Sequence, residues 1–226
     1  MQIDERGLNK SSQLRHLIGS CKEMNKNNRR DILYRAAFKL FLEKQYEGVS
    51  LKDIENASGM TRGAIFYYHK NKLDLFIAVI KHFFLSRQNA HTTINFNEIS
   101  LKSFIEDYVN SVRNQMDILK KFIGDLSTSN ASKSYIILGL KLKDYSTELN
   151  DEYIAIRNKN LANWINVIQN AVLNGEIKKN TDVITMAEIF VSVYLGLSVW
   201  DSFKNALDTD HLLYTYNYLY NLIKAH

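Results

Sequence analysis

The sequence predicts an all-α protein. The chain of 226 residues contains no proline and nine glycines, so few positions interrupt a helix. In several segments apolar residues recur every three or four positions, which is the spacing of one helix face. Apolar residues make up 46% and charged residues 23%, as in ordinary soluble globular proteins. We therefore expect helices joined by short polar loops.

The net charge of +5 is concentrated in one quarter of the chain. Residues 25–82 contain 11 Lys/Arg and 6 Asp/Glu, whereas residues 83–226 contain 14 and 15. This segregation predicts a polyanionic partner for the first segment alone. Cys21 is the single cysteine, and no Cys/His cluster has the spacing of a zinc site. We therefore expect a reducing, cytoplasmic setting and no metal or other cofactor.

Two segments invite a membrane or targeting interpretation. Residues 1–24 have weak apolar patterning and lack the apolar core of a secretory signal. We interpret them as a flexible extension, either an arm that contacts a partner or a loosely ordered stretch upstream of a natural start at Met24. Residues 183–200 approach the shortest length of a membrane span, but Glu188 inside that stretch favours a helix that does not cross a membrane.

The first strongly patterned helix runs from Arg29 to about Lys44. Its apolar face consists of Ile32, Leu33, Ala36, Ala37, Leu40 and Phe41. Tyr46-Glu47-Gly48 forms the exit, with glycine where a helix stop is expected. Ser50 and Asp53 have the spacing of a capping box for a second helix, whose buried stripe is predicted to be Leu51, Ile54 and Ala57.

A glycine turn separates the second helix from a third. Ser58-Gly59-Met60 breaks the second helix, because glycine tolerates the left-handed conformation of a tight turn. Thr61 can cap a third helix that buries Ile65 and Tyr68. Two short helices around such a turn form a helix-turn-helix.

Residues 29–80, including YEGVSLKDIENASGMTRGAIFYYHKNKLDLF, resemble the DNA-binding domain of the tetracycline-repressor family. The shared features are the glycine exit from helix one, a Thr/Ser-x-x-x-Ile second helix, a Gly-hydrophobic turn, a Lys/Arg-Gly-x-hydrophobic-Tyr third helix and Lys-x-Lys at helix four. Glu55 departs from this pattern, since the family usually places alanine there. The resemblance implies a helix-turn-helix DNA-binding domain at residues 25–82 and a helical effector-binding and dimerisation domain at residues 83–226. It also implies a sequence-specific transcriptional regulator, a repressor that a small molecule releases from its operator.

On this resemblance the third helix is the recognition helix for double-stranded DNA. Arg62 at its N-terminus can reach base edges, and arginine binds guanine bidentately in the major groove. Tyr67 and Lys72 are expected to face outward and contact phosphates, together with the N-terminal amides of helix four. The expected DNA-contacting residues are Arg29, Arg30, Lys52, Thr61, Arg62, Gly63, Ala64, Tyr67, Lys70 and Lys72.

The aromatic residues of this helix leave alternatives. Tyr67 either faces the duplex or packs in the core, whereas core packing is the preferred interpretation of Phe66. His69 is interpreted as a half-buried core histidine, at a position where the family usually has phenylalanine.

Four helical blocks are predicted beyond residue 82. The first has an apolar stripe from Leu101 to Leu119, and the second, around Trp164, stops at Asn174-Gly175. Residues 124–134 are rich in Gly, Ser and Asn and are predicted to form a loop.

The last two blocks favour a homodimer. Residues 183–207 are apolar nearly all round, so one side is expected to pack within the chain and the other against a partner. In the resembling family the last two helices form a four-helix dimer bundle. This implies a homodimer through residues 183–223, bound to a near-palindromic operator.

The resemblance also implies an effector pocket in residues 83–226. Tyr108, Trp164 and Tyr194 are amphipathic aromatic residues on helices predicted to face that interior, and they suit a largely apolar small molecule. The alternative is that all three are core residues. Nothing in the sequence identifies the effector.

Other classes of function have less support. The sequence contains no P-loop, Rossmann fingerprint, His-Glu-x-x-His or Gly-x-Ser-x-Gly motif, so we do not expect an enzyme. The main alternative is a helical interaction module that docks through its apolar C-terminal helices. Such a module would have no need of the basic segment.

Overall fold

The regular secondary structure of the described residues is helical. The computed structural model describes residues 10–86, 99–123 and 128–225, with side chains for residues 27–86, 99–122 and 132–225. Within these ranges the helices are α1 Lys10–Lys44, α2 Leu51–Ser58, α3 Arg62–Tyr68, α4 Lys72–Ile80, α5 Leu101–Ile123, α6 Thr128–Tyr145, α7 Thr147–Leu173, α8 Val183–Ser202 and α9 Thr209–Ile223. A π-helical segment, Lys81–Leu85, continues α4. The all-α prediction is confirmed.

α1 is longer than the apolar pattern predicts. Its backbone is helical from Lys10, whereas the pattern indicates a start at Arg29. Residues 10–28 contain no proline and one glycine, Gly19, so they can stay helical although their sequence offers no continuous apolar face. The flexible extension predicted for residues 1–24 is thus helical from Lys10 onward, and the residues before it lie outside the described chain.

A first hydrophobic core joins the N-terminal helices to α6 and α7. Phe76 of α4 is fully buried there, with its ring centroid 5.0 Å from that of Phe41 on α1. The same ring lies 4.9 Å from Tyr46 in the α1–α2 turn and 4.9 Å from Tyr145 at the end of α6. Aromatic pairs at these distances and inclined angles stabilise a core beyond the area they bury.

This core extends past the predicted domain boundary. Phe83, Phe84 and Leu85 are buried in it together with Leu142 of α6 and Leu149 of α7. A boundary after residue 82 therefore passes through a continuously packed interior rather than through a linker.

A second core lies among α5, α7, α8 and α9. Trp164 of α7 is fully buried and stacks on Phe190 of α8, with ring centroids 4.6 Å apart and an interplanar angle of 8°. Tyr216 of α9 donates a hydrogen bond from its hydroxyl to the Phe190 carbonyl at 2.8 Å. An antiparallel bridge between Ile177 and Lys224 fixes the end of α9 to the α7–α8 turn.

The helical blocks predicted beyond residue 82 coincide with α5, α7, α8 and α9, but α6 is an addition. The loop predicted for residues 124–134 is wrong from Thr128 onward, where α6 begins, and residues 124–127 lie outside the described chain. Ser, Thr and Asn disfavour helix interiors but suit the first turn of a helix. Their abundance here marks the start of a helix rather than a loop.

α8 is buried on one side only. Ala187 and Phe190 are fully buried, whereas Ile184, Val199 and Trp200 are 59%, 43% and 62% exposed. In the described part of the chain α8 is the one helix whose length and apolar composition would also suit a membrane span. Its buried residues pack in the second core against α7 and α9. No described residue covers the other face of α8.

We expect the first core to unfold as one unit with α6. Leu142→Ala should lower the free energy of unfolding by about 2–5 kcal/mol, because Leu142 is fully buried and its truncation leaves a cavity. Leu140→Ala is the matched control on the same helix, since Leu140 is 79% exposed and should change stability by less than about 0.5 kcal/mol. Urea denaturation followed by circular dichroism measures both. Separate unfolding of the N-terminal helices, unaffected by Leu142→Ala, would contradict the shared core.

Candidate nucleic-acid interface and C-terminal cavity

Capping interactions hold the helix-turn-helix as the sequence predicts. The Ser50 hydroxyl accepts a hydrogen bond from the Asp53 amide at 3.1 Å, and the Asp53 carboxylate accepts one from the Ser50 amide at 2.8 Å. Hydrogen bonding by the Ser50 hydroxyl holds the pKa of Asp53 well below its usual range. Gly59 takes the left-handed conformation with φ 67°, and the Thr61 hydroxyl accepts a hydrogen bond from the Ala64 amide. The capping box, the glycine turn and the third-helix cap are confirmed.

α2 and α3 pack through few side chains. Ile54 and Ile65 are fully buried, as predicted, and Tyr68 is half-buried. The prediction that Ala57 is buried is wrong, because Ala57 is exposed. Periodicity identifies the face of a helix but not whether a neighbouring element covers every turn of it.

α3 presents an exposed face that combines aromatic and basic groups. Tyr67 is 73% exposed and thus faces outward, the first of its two alternatives. Core packing of Phe66 is wrong, because this ring is 41% exposed. Phe66 lies one helical turn from Arg62, which is exposed, so it shares that side of the helix. At Gly63 an added Cβ would meet no atom within 4 Å, so packing within the chain does not require glycine there.

Glu55 connects two of the predicted DNA-contacting residues. Arg62 donates from Nε to Glu55 Oε1 at 3.0 Å, and Lys52 Nζ lies 3.6 Å from Glu55 Oε2. The Glu55 side chain is 16% exposed and that of Arg62 60% exposed. This is the only hydrogen bond that the described residues give Arg62, so its terminal amino groups are available to a partner. Glu55, which departs from the family pattern, therefore orients the predicted base-contacting arginine.

Lys72 is directed into the protein, which corrects its predicted outward position. Its ammonium group donates to the carbonyl oxygens of Tyr46 and Val49, both at 2.9 Å. It also lies 4.1 Å from the centroid of the Tyr46 ring, within the range of a cation–π interaction. Lys72 therefore ties the start of α4 to the α1–α2 turn.

The α1–α2 turn itself differs from the predicted exit. The residue with left-handed backbone is Gln45, at φ 61°, rather than Gly48. Gly48 has another reason to be glycine, because a Cβ at this position would collide with the Lys44 carbonyl oxygen.

His69 is more deeply buried than predicted, at 6% exposure. Its Nδ1 lies 3.0 Å from Asp74 Oδ2, while its Nε2 is buried without a hydrogen-bond partner in the described chain. Asp74 also accepts a hydrogen bond from the Lys70 amide. A carboxylate thus already occupies the first turn of α4, where the sequence suggested a phosphate site.

Polar contacts also attach the N-terminal helices to α6 and α7. The Tyr145 hydroxyl donates to the Glu47 carboxylate at 3.1 Å, and burial, followed by this contact, raises the pKa of Tyr145 to about 12. Lys81 lies 2.6 Å from Glu148 and 3.2 Å from Glu152 of α7. These contacts lie at the solvent-exposed edge of the first core.

A cavity of about 100 Å³ lies between α5, α6 and α8. Its lining is mainly apolar, with Tyr194, Tyr135 and Gln115 among the polar residues. Of the three predicted ligand-binding residues, Tyr194 lines this cavity. Tyr108 and Trp164 do not line it and are core residues, 3% and 0% exposed.

α8 and α9 each expose apolar residues that nothing in the described part of the chain covers. On α9 Tyr214, Tyr218 and Leu222 are 70%, 58% and 53% exposed. On α8 an added Cβ at Gly196 would meet no atom within 4 Å, and Trp200 lies one turn further along. Exposed apolar surface of this extent is typical of an interaction site.

Comparisons with known proteins agree with this architecture. The model of the family "Bacterial regulatory proteins, tetR family" matches residues 33–79. The HTH-type transcriptional repressor AcnR of Corynebacterium glutamicum is 40% identical over 55 residues, which are 24% of this chain and 29% of that repressor. A TetR transcription regulator from Haloarcula marismortui has a TM-score of 0.63 at 14% identity, covering 88% of this chain and 99% of its own. Salmonella enterica GusR has a TM-score of 0.59 at 18% identity, covering 87% and 95%.

Residues 33–79 thus carry the DNA-binding domain of the tetR family, and the rest of the chain shares the fold of tetR-family regulators. The similarity in sequence is confined to less than a third of the length of the AcnR repressor, whereas the similarity in fold covers most of the chain. The tetR-family resemblance inferred from the sequence is therefore confirmed, and with it the helix-turn-helix.

The tetR-family fold brings together part of the predicted DNA-contacting set. Thr61, Arg62, Gly63, Ala64, Tyr67 and Lys70 lie on or beside α3, and Lys52 joins them through Glu55. Arg29 and Arg30 are exposed on α1, and Arg30 donates to Asn27. Lys72 is separated from the set because it faces the interior.

We expect Lys72 to stabilise the tetR-family fold. Lys72→Met should lower the free energy of unfolding by about 1–3 kcal/mol, because it removes two hydrogen bonds from a charged donor and leaves two carbonyl groups without it. Lys70→Met, an equal charge change at an exposed position, is the control and should have little effect. Thermal denaturation compares the two. Equal melting temperatures would show that the buried contacts contribute nothing to stability.

Proposed function

We propose that this chain is a dimeric, sequence-specific DNA-binding repressor that a small molecule releases from its operator. The observation that carries the proposal is the exposed face of α3, which places arginine and tyrosine side chains on a capped helix-turn-helix of the tetR family, with an exposed lysine in the turn that follows. The excess positive charge of residues 25–82 provides the complementary charge for the phosphate backbone. The protein acts in the cytoplasm, associated with the nucleoid.

Arg62 is the proposed base-contacting residue. Glu55 holds its Nε, so the two terminal amino groups can approach the two acceptors of guanine in the major groove. Gly63 beside it leaves open space in which a DNA backbone or base edge can approach closely.

Backbone contacts come from the remaining exposed groups. Tyr67 extends from α3 and Lys70 from the turn after it, while Lys52 extends from α2 and Arg29 and Arg30 extend from α1. Such contacts fix the protein on the duplex without sequence information. Lys72 supports them indirectly, since it fixes the turn that precedes α2.

The uncovered surface of α8 and α9 is the proposed dimer interface, within residues 183–223. Obligate homodimer interfaces bury about 2,000 Å² or more and resemble a divided core. Trp200, Tyr214 and Tyr218 supply the aromatic groups that such interfaces favour. A two-fold axis then presents two recognition helices to a near-palindromic operator, with half-sites about one DNA turn apart.

For a bound effector to alter DNA binding, the cavity must be linked structurally to α3. α6 supplies both the cavity residue Tyr135 and Tyr145, whose ring packs on Phe76 of α4. An effector that shifts α6 would change the packing around Phe76 and with it the spacing of the two recognition helices.

The alternative is an interaction module that uses α8 and α9 without DNA. A gel shift on random-sequence duplex at low and moderate salt separates the two functions. A DNA-binding protein should bind at low salt. Its affinity should then fall steeply as the salt concentration rises, because the release of counterions from the DNA contributes less to binding. Absence of binding at low salt would favour the interaction module.

We expect Arg62 and Lys70 to differ in what they contribute. Arg62→Ala should weaken binding to the selected operator by about 1–3 kcal/mol. It should also reduce the preference for that operator over random duplex. Lys70→Ala should weaken binding to all sequences alike. It should also lower the slope of log K against log salt concentration by about one. Glu55→Gln should also reduce the preference while raising affinity for random duplex, because a negative charge next to the DNA is removed. Equal loss of specificity in the Arg62 and Lys70 variants would refute this division.

We expect a charge at Gly196 to prevent dimer formation. Gly196→Glu should yield monomers or aggregates and abolish specific operator binding, because a charge would be buried against the partner without a counter-ion. Ala155→Glu, at an exposed position of α7, is the matched control and should leave the dimer intact. Sedimentation velocity gives the mass. A Gly196→Glu protein that remains dimeric would place the interface elsewhere.

A further inference from the structure

One large apolar side chain of α3 is not accounted for by folding. Phe66 is 41% exposed and lies outside the first core, in which its neighbour Ile65 is fully buried. Tyr67, on the other side of Phe66, at least packs its ring edge-on against Tyr68, with centroids 5.2 Å apart. Phenylalanine is also a weaker helix former than alanine, leucine or lysine. The core and the helix therefore give little reason for a phenylalanine at this position.

Phe66 lies on the face of α3 that carries the proposed base-contacting arginine. The exposed residues of this helix are Arg62, Gly63, Phe66 and Tyr67, which occupy one side of it over adjacent turns. Phe66 is four residues from Arg62, about 6 Å along the helix axis, and neighbouring base pairs of a duplex are about 3.4 Å apart. If Arg62 reaches a guanine in the major groove, Phe66 is within about two base pairs of it.

Close approach of this face to the bases is not obstructed by the chain itself. Gly63 has no side chain, and the space where its Cβ would lie contains no atom within 4 Å. Arg62 is held at its Nε by Glu55, so its side chain is directed rather than spread over the Phe66 ring. The ring can therefore contact a base edge directly.

The chemistry of a phenyl ring restricts what it can contact there. The ring has neither a hydrogen-bond donor nor an acceptor, so it cannot form the hydrogen bonds by which polar side chains bind phosphates and base edges. In the major groove the apolar group on the base edges is the C5-methyl group of thymine. Packing the ring on this group removes apolar surface of both partners from water.

We propose that Phe66 determines specificity for thymine, because its ring packs on the C5-methyl group of a thymine within two base pairs of the guanine that Arg62 binds. This inference rests on the proposed function, since it adds a second base to the half-site that α3 recognises. The two contacts differ in kind. Arg62 recognises guanine by hydrogen bonds, whereas Phe66 recognises thymine by the burial of one methyl group.

The test is a gel shift of the full-length chain on the operator that it selects from random duplex. In synthetic copies each thymine is replaced in turn, in both half-sites, by deoxyuridine, which pairs in the same way and lacks only the methyl group. One thymine per half-site should be sensitive. Its replacement should weaken binding about fourfold for each half-site, as expected for one buried carbon group. This thymine should lie within two base pairs of the guanine that Arg62→Ala no longer distinguishes.

Two variants assign the effect to the Phe66 ring. Phe66→Ala should bind the thymine and uracil operators equally, because the ring that contacts the methyl group is absent. Tyr67→Ala is the matched control, since it removes an aromatic ring from the next exposed position. It should weaken both operators alike and keep the fourfold preference for thymine. Both positions are exposed, so both variants should melt close to the wild type. Phe66→Leu keeps an apolar side chain and should retain part of the preference.

The possible failures can be told apart. A selected operator in which no thymine is sensitive to uracil would overturn the proposal and leave the proposed function intact. A preference for thymine that persists in Phe66→Ala would do the same. Equal weakening of every sequence by Phe66→Ala, without a sensitive thymine, would show that the ring packs on the sugar-phosphate backbone instead. A chain that binds no duplex at low salt would overturn the proposed function and this inference with it.

Discussion

The position of the recognition helix depends on the aromatic contacts around Phe76. This ring is fully buried between Phe41 of α1, Tyr46 of the α1–α2 turn and Tyr145 of α6. Lys72, one turn earlier on α4, covers the Tyr46 ring and binds the turn carbonyls. α4 therefore cannot tilt without breaking contacts to both α1 and α6. Because α3 has seven residues and lies between the turn after α2 and the start of α4, its orientation follows from theirs.

Features that depend on neighbouring residues were predictable from the sequence. The Ser50–Asp53 capping box, the left-handed Gly59 and the Thr61 cap each need residues no more than three positions apart, and all three are present. Long apolar stripes likewise predicted α5 and the later part of α7, since an amphipathic face persists whatever covers it. The tetR-family assignment followed because its motif consists of these same local signals.

Features set by long-range contacts were not predictable. Lys72 belongs to a Lys-x-Lys pattern whose chemistry suggests phosphate binding, but its partners lie more than twenty residues earlier in the chain. Phe66 looks like a core residue by type, yet Ile65 takes the inward position beside it and leaves Phe66 on the exposed side. The role of Glu55 could not be predicted from the sequence either, because only the fold brings its carboxylate to the Nε of Arg62.

Of three glycines, one is required by packing within the described chain and two are not. Gly48 is required by packing, because a Cβ would collide with the Lys44 carbonyl. Gly63 and Gly196 lie within helices, where glycine costs about 0.5–1 kcal/mol relative to alanine, and an added Cβ would meet nothing at either position. Since no contact within the described chain recovers that cost, we infer that a surface from outside approaches both positions closely. The two lie on the two surfaces that have other reasons to bind a partner, the basic face of α3 and the apolar face of α8. The proposed DNA contact at the first and the proposed dimer interface at the second would account for both glycines.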